Sequence, residues 1–225
     1  MELSLLQLLK KGLKMTAASS LIVSIRNRVN LSTDDARVND TNLLDFVNAA
    51  IQDVESQKEW PWREKIANLS VAADDNQYTI TSHAADWKTT LSLTIVDPPA
   101  VLQRKTWKWT RRMAWDDWKG TPAFYTEHAG ELYLFPIPDK AITIQHRYLE
   151  TVDVLGSTSA TVGNPDWFDP IIITKAASYV AQKLRDTELY QMLETQYKQQ
   201  LKSFADDVSR NYEPLTVHTR RDSEF

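Results

Sequence analysis

The chain has 225 residues, 42% of them apolar and 25% charged, which suffices for a substantial core and rules out disorder of the whole chain. A net charge of −4 gives no overall basic field for nucleic acid, and the absence of cysteine excludes disulfides, thiol catalysis and Cys-ligated zinc. The five glycines make neither a dinucleotide fingerprint nor a phosphate loop, and no run of about 18 apolar residues supports a membrane span.

Residues 1–16 read as an N-terminal extension. Leu3 to Leu9 are largely apolar and the positive charge follows at Lys10, Lys11 and Lys14, the reverse of a signal peptide. The segment is an added or alternative start, with Met15 a second beginning, or a helix that docks on a partner or a membrane surface.

Residues 17–30 are expected as a helix, since Leu21, Ile25 and Val29 recur at steps of four. Ser32 to Arg37 is a polar loop, with Asp34, Asp35 and Asp40 read as solvated acids. Asp40 or Thr41 then caps a helix to about Gln57 whose stripe is Leu43, Val47, Ala50, Ile51 and Val54. Trp60-Pro61-Trp62 ends it, because Pro61 cannot continue the ladder.

The period then changes from helical to alternating, so residues 66–150 read as β-rich. Leu69–Val71 and Tyr78–Ile80 flank Asp74-Asp75-Asn76 as a hairpin, and Leu91, Leu93 and Ile95 alternate before Pro98-Pro99. Val101–Trp109 is a further strand or extended segment, with Trp107 and Trp109 on one face. Arg111–Trp118 reads as a short helix stopped by Gly120, with Trp115 and Trp118 one turn apart. Strands follow near 123–127, 131–135 and 141–149. After a loop at 153–165, Asp166 or Asp169 caps a helix with Pro170 in its first turn, on the stripe Ile173, Ala176, Ala177, Val180 and Leu184. Asp186-Thr187 breaks it. Leu189, Leu193, Tyr197, Leu201, Phe204 and Val208 carry a second, antiparallel helix. Residues 211–225 form an arm with a β-prone centre and no helical stripe. The fold class is α+β: N-terminal and long C-terminal helices forming a helical bundle, an inserted β-rich subdomain and extended terminal arms.

Chemistry-bearing residues are sparse. Trp107 to Trp118 interleaves rings with Lys108, Arg111 and Arg112, a pattern that suits single-strand stacking but also a packed or partner-facing cluster, and Asp116-Asp117 repel phosphate. Glu127, Glu131, Asp116 and Asp117 are the carboxylates a glycosidase reading would need as a facing pair. His83, His128, His146 and His218 lack metal-site spacing, and no nucleophile elbow occurs. No cofactor is expected, and nothing makes an enzyme the default reading.

The order of Asn42 to Ile51, Trp60-Pro61-Trp62, Tyr78-Thr79-Ile80, Gly120-Thr121-Pro122 with Tyr125, Leu132 to Pro138 ahead of Ile144 and Tyr148, and Pro165-Asp166-Trp167 leading into Ala176-Ala177 resembles tailed-bacteriophage head-to-tail adaptors, the neck or tail-tubular-A-like connectors. The resemblance spans roughly residues 17–209, and neither 1–14 nor the Trp-rich 101–118 stretch has an evident counterpart. It implies a non-enzymatic virion protein in the neck between capsid and tail, assembled in the host cytoplasm. It also implies a ring of commonly twelve copies beneath the portal ring and above tail or nozzle proteins, through which genomic DNA passes at ejection without sequence-specific binding, and no membrane. The adaptor domain would be 17–210, with helices 17–59 and 166–209 around the β-rich part and 211–225 as the arm. The expected contacts with the portal or a neighbouring subunit are Tyr212, Leu215, Val217, Arg220, Arg221 and Phe225 of the arm, with Trp107, Trp109, Arg111 and Arg112. Peptidoglycan cleavage and nucleic-acid-binding regulation are the rival readings.

Overall fold

In the computed structural model, residues 16–33, 35–111 and 118–211 are described, and the chain is mixed α+β. It divides into two compact units: the chain up to Trp62 together with the chain from Val152, and Arg63–Thr151 between them.

The first unit holds helices α1 (Ala18–Arg28) and α2 (Asp40–Gln57). Leu21 and Ile25 of α1 and all five stripe residues of α2 are buried, so the four-residue spacing does face a core. α1 has no side-chain cap. Its first free N–H groups are taken instead by the following chain: Ala18 N donates to Ala160 O at 2.9 Å and Ser19 N to Thr158 O at 2.8 Å. The cap of α2 is Asn39 rather than Asp40 or Thr41, its side-chain oxygen accepting from Asn42 N at 2.9 Å. Asp40 is not merely solvated, because it accepts from the buried Arg26 at 2.7 Å. Arg26 also donates to Ser32 O at 2.6 Å, tying down the loop between the two helices.

The C-terminal helices of this unit are α4 (Asp169–Leu184) and α5 (Thr187–Asn211). Neither Asp166 nor Asp169 is a cap. A 3-10 turn over Asp166–Phe168 leads in, Phe168 takes the cap position without a side-chain bond, and Pro170 sits in the first turn as expected. α4 is buried on far more than one stripe, because it packs against α1, α2 and α5 together. Ala176, Ala177, Ser178 and Ala181 keep its surface shallow enough for three neighbours. Arg185 ends α4 in the left-handed region (φ 61°), and Asp186 restarts the chain by accepting from Leu189 N at 3.0 Å. Phe168 meets Phe204 while Lys175 meets Glu194, which makes α4 and α5 antiparallel.

The second unit is β-rich. One sheet has the order β1 (Glu64–Val71), β10 (Ile142–Glu150), β3 (Trp87–Ile95), β4 (Ala100–Val101). The other runs β2 (Gln77–Thr79), β8 (Glu131–Phe135), β7 (Phe124–His128), β5 (Gln103–Arg104). A parallel pair joins β6 (Lys119–Gly120) to β9 (Ile137–Pro138). Both sheets contribute to one core that includes Leu69, Val71, Leu93, Ile95, Tyr125, Leu132, Leu134 and Ile144.

Three expectations change here. The stretches Leu69–Val71 and Tyr78–Ile80 are not a hairpin: β1 pairs with β10 and β2 with β8, in different sheets. Asp74 turns the chain out of β1 at φ 64°, its N–H bonding Pro138 O instead of a partner across the turn. The alternation of Leu91, Leu93 and Ile95 is interrupted, because the register jumps from Ser92↔Arg147 to Thr90↔Tyr148 and leaves Leu91 unpaired. Thr90 is turned inward as a result. Finally, Val101–Trp109 ends not as a strand but in a helical turn, α3 (Trp107–Thr110), capped by Thr106.

Candidate interface surfaces

The Trp-rich stretch is built around α3. In a helical turn Trp107 and Trp109 cannot share a face as they would in a strand, and each finds its own partner on the β7–β8 hairpin. Trp107 stacks on His128 (centroids 4.3 Å apart, planes 6° apart) and leans on Tyr133 at 5.0 Å, while Trp109 meets the edge of Phe124 at 5.3 Å. Lys105 Nζ lies 4.9 Å from the Phe124 ring centre and 5.5 Å from that of Trp109. Both tryptophans are half-buried, so the rings that would have to stack on bases are already committed to the sheet. Lys108 and Arg111 remain exposed beside them. Trp118 is extended rather than helical, 43% exposed, and its carbonyl accepts from Ile137 N at 2.9 Å. Arg112, Trp115, Asp116, Asp117 and the arm residues Tyr212, Leu215, Val217, Arg220, Arg221 and Phe225 lie outside the described residues.

Glu127 and Glu131 do not converge. His128↔Glu131 and Glu127↔Leu132 are facing pairs across β7 and β8, so Glu127 and Glu131 project from opposite faces of the hairpin. Glu127 accepts from Arg104 at 2.8 Å and Glu131 from Thr79 at 3.0 Å. A facing pair across a sugar is not available from these two residues. Among the described residues no group of three His, Asp or Glu could hold a metal ion, and no helix is long and apolar enough to cross a membrane.

Sequence distance concealed two polar clusters. His83 and His146 come together with their Nε2 and Nδ1 atoms 2.9 Å apart. The chain continues through His146 Nε2 to Thr90 Oγ1 at 2.9 Å, and Trp87 Nε1–H donates to Thr90 at 3.0 Å. Burial, with the neighbouring His83, pushes His146 down to about 4, and burial lowers His83 as well. The second cluster lies among α2, α4 and α5. Tyr197 O–H donates to Asp53 at 2.7 Å, and Glu194 accepts from Lys175 at 2.8 Å and from Ser178 at 2.7 Å. Burial, followed by the Asp53 carboxylate, holds the Tyr197 hydroxyl well above its usual range. The polar groups of the second cluster are met by their own partners, whereas Nδ1 of His83 in the first is buried without one among the described residues.

The exposed apolar residues are spread over both units, with Val23, Trp167 and Met192 in the first and Ile66, Val96 and Val101 in the second. Trp167 stacks on Phe204 with planes 2° apart, at the rim of a ring cluster that also contains Trp60, Trp62 and Phe168. Exposed rings and branched side chains are features of a protein that works by contact. No curated protein matches the chain. The SU10 adaptor protein family matches it over residues 15–219. With that match covering all but the two ends, the chain belongs to the SU10 adaptor family of phage head-to-tail adaptors.

Proposed function

We propose that this chain is a ring-forming, non-enzymatic virion protein that joins the portal to the tail and forms part of the channel through which the genome is ejected. The observation that carries the reading is membership of the adaptor family across residues 15–219. The opposed faces of Glu127 and Glu131 agree with a scaffold.

In this reading the helices over 40–59 and 166–209 form a bundle that builds the ring wall, in a ring of about twelve copies with head-to-tail symmetry. Residues 17–210 are the adaptor domain and 1–16 an extension of it. Residues 211–225 form an arm that reaches a neighbouring copy or the portal, Leu215, Val217 and Phe225 filling apolar pockets and Arg220 and Arg221 pairing with acids. Trp107, Trp109, Arg111 and Arg112 offer a second contact surface toward portal or tail. DNA passes without sequence-specific binding, past a lumen that is not cationic, since a basic lining would hold the phosphates. The protein acts in the neck of the virion after assembly in the host cytoplasm. Electron microscopy of the protein mixed with its portal is the direct test. A ring seated on the portal is expected, and portal rings that stay bare at saturating protein would remove the assignment.

A further inference from the structure

Four strands lie at the edges of the two four-stranded sheets in the second unit, and three of them are two or three residues long: β4, β2 and β5. Short edges offer little to pair with. The fourth, β1, is eight residues long and pairs with β10 without a break in register from Glu64↔Leu149 to Val71↔Ile142. Its other side is open: among the described residues, no backbone hydrogen bond outside the sheet involves residues 64–71. The usual protections of a long edge are proline, a bulge or free charge. β1 has no proline and no bulge. Its two charges stand at its first two positions and are both used, Glu64 by Arg147 (2.7 Å) and Lys65 by Asp86 and Glu150. Ile66 to Val71 are uncharged, and Ile66 is 51% exposed.

The same chain carries a segment of matching chemistry outside the described residues. Tyr212–Phe225 follows the end of α5, and these 14 residues span up to about 46 Å when extended. Between Pro214 and Arg220 lie Leu215-Thr216-Val217-His218-Thr219, five residues without a formal charge at neutral pH and with alternating apolar positions. We infer that the open edge of β1 receives residues 215–219 of an adjacent copy as an added strand. Main-chain hydrogen bonds supply the affinity, and Leu215 or Val217 lies against Ile66. The inference rests on the adaptor reading, which sets identical chains side by side, and it names what the arm grips. Donor and acceptor occupy different places on one chain, so each copy passes its arm to the next and the contact closes head to tail.

The absence of cysteine makes the test clean. Full-length chains carrying Ile66→Cys, Asn68→Cys or Ser70→Cys are mixed with chains carrying Leu215→Cys or Val217→Cys, assembled on the portal and oxidised. The three acceptor positions are exposed and share a face of β1, so the pairs sample the possible registers. A disulfide between two molecules is expected at about tenfold the yield of chains carrying the exposed Lys88→Cys on β3, which β10 separates from β1. Independently, Thr216→Pro or Val217→Pro, whichever directs its N–H at β1, is expected to weaken ring formation about tenfold. Rings that assemble without the adduct overturn the inference while sparing the adaptor reading. So does an adduct formed only within one molecule, or only between arm and portal. Wild-type chains that never seat on the portal remove both.

Discussion

At the scale of single residues, the second unit stakes its stability on groups that must stay neutral. His146 is fully buried and bonded on both ring nitrogens, and a proton added to it meets the His83 ring 2.9 Å away. Its folded pKa, about 4, lies below the ordinary histidine value of about 6.5, so the unfolded chain takes up a proton first. The histidine's contribution is complete above about pH 6.5 and is lost as pH falls toward 4, up to about 3 kcal/mol in all. Thermal melts of the wild type are expected to fall across that window, beginning above the range where carboxylates titrate. His146→Gln is expected to be less stable at pH 7 and to show a shallower slope over the same window, His83 supplying the remainder, and an unchanged slope would clear His146. A second residue works against its backbone. The β7–β8 turn places Ala129 at φ 52° and Gly130 at φ 82°, both left-handed, which glycine adopts freely and alanine does not. Ala129→Asn is expected to stabilise the unit by about 0.5–1 kcal/mol in urea titration, since asparagine tolerates that region.

At the scale of elements, the end of α2 shows how a stop signal becomes a packing centre. Pro61 stops the helix, and the two tryptophans around it turn back onto the unit they close. Trp60 is 1% exposed, donates from Nε1 to Val54 O at 3.1 Å, stacks on Trp62 at 4.8 Å and meets Phe168 edge-on at 5.1 Å. Through Phe168 and Phe204 the same cluster fixes the start of α4 against α5. Trp60→Ala therefore removes a buried ring from a cluster shared by three helices. It is expected to cost about 3–5 kcal/mol in equilibrium unfolding. A cost below about 1 kcal/mol would mean that the surrounding rings collapse into the gap. The stop at Trp60-Pro61-Trp62 was legible in the sequence because it is a local backbone rule. The ring partners were not, since Phe168 lies more than a hundred residues away.

At the scale of the whole molecule, the proposed function separates folding from docking. The described cores of both units end before Tyr212. Truncation after Asn211 is expected to leave circular dichroism and melting unchanged while abolishing docking onto the portal and joining of heads to tails. Normal joining by that truncation would strip the arm of its role.

What the sequence determined by itself was the helical periodicity and the stop at Trp60-Pro61-Trp62, while several caps and the turn at Trp107–Thr110 escaped it. The stripes of α1, α2, α4 and α5 were readable because a helix buries one face at a fixed period, and Leu43, Val47, Ala50, Ile51 and Val54 all reach the core. The shared order of helix, Trp-Pro-Trp, strands and helices also sufficed to point to the adaptor family that the match over 15–219 establishes. The tertiary structure decided what depends on partners distant along the chain. It sent β1 and β2 to different sheets, unpaired Leu91 with a bulge, and turned Trp107 and Trp109 onto separate rings of the β7–β8 hairpin. It also joined His83 to His146 across 63 residues. Period and propensity are properties of neighbours along the chain, whereas strand pairing and burial of polar groups are settled by whichever distant segment satisfies their hydrogen bonds.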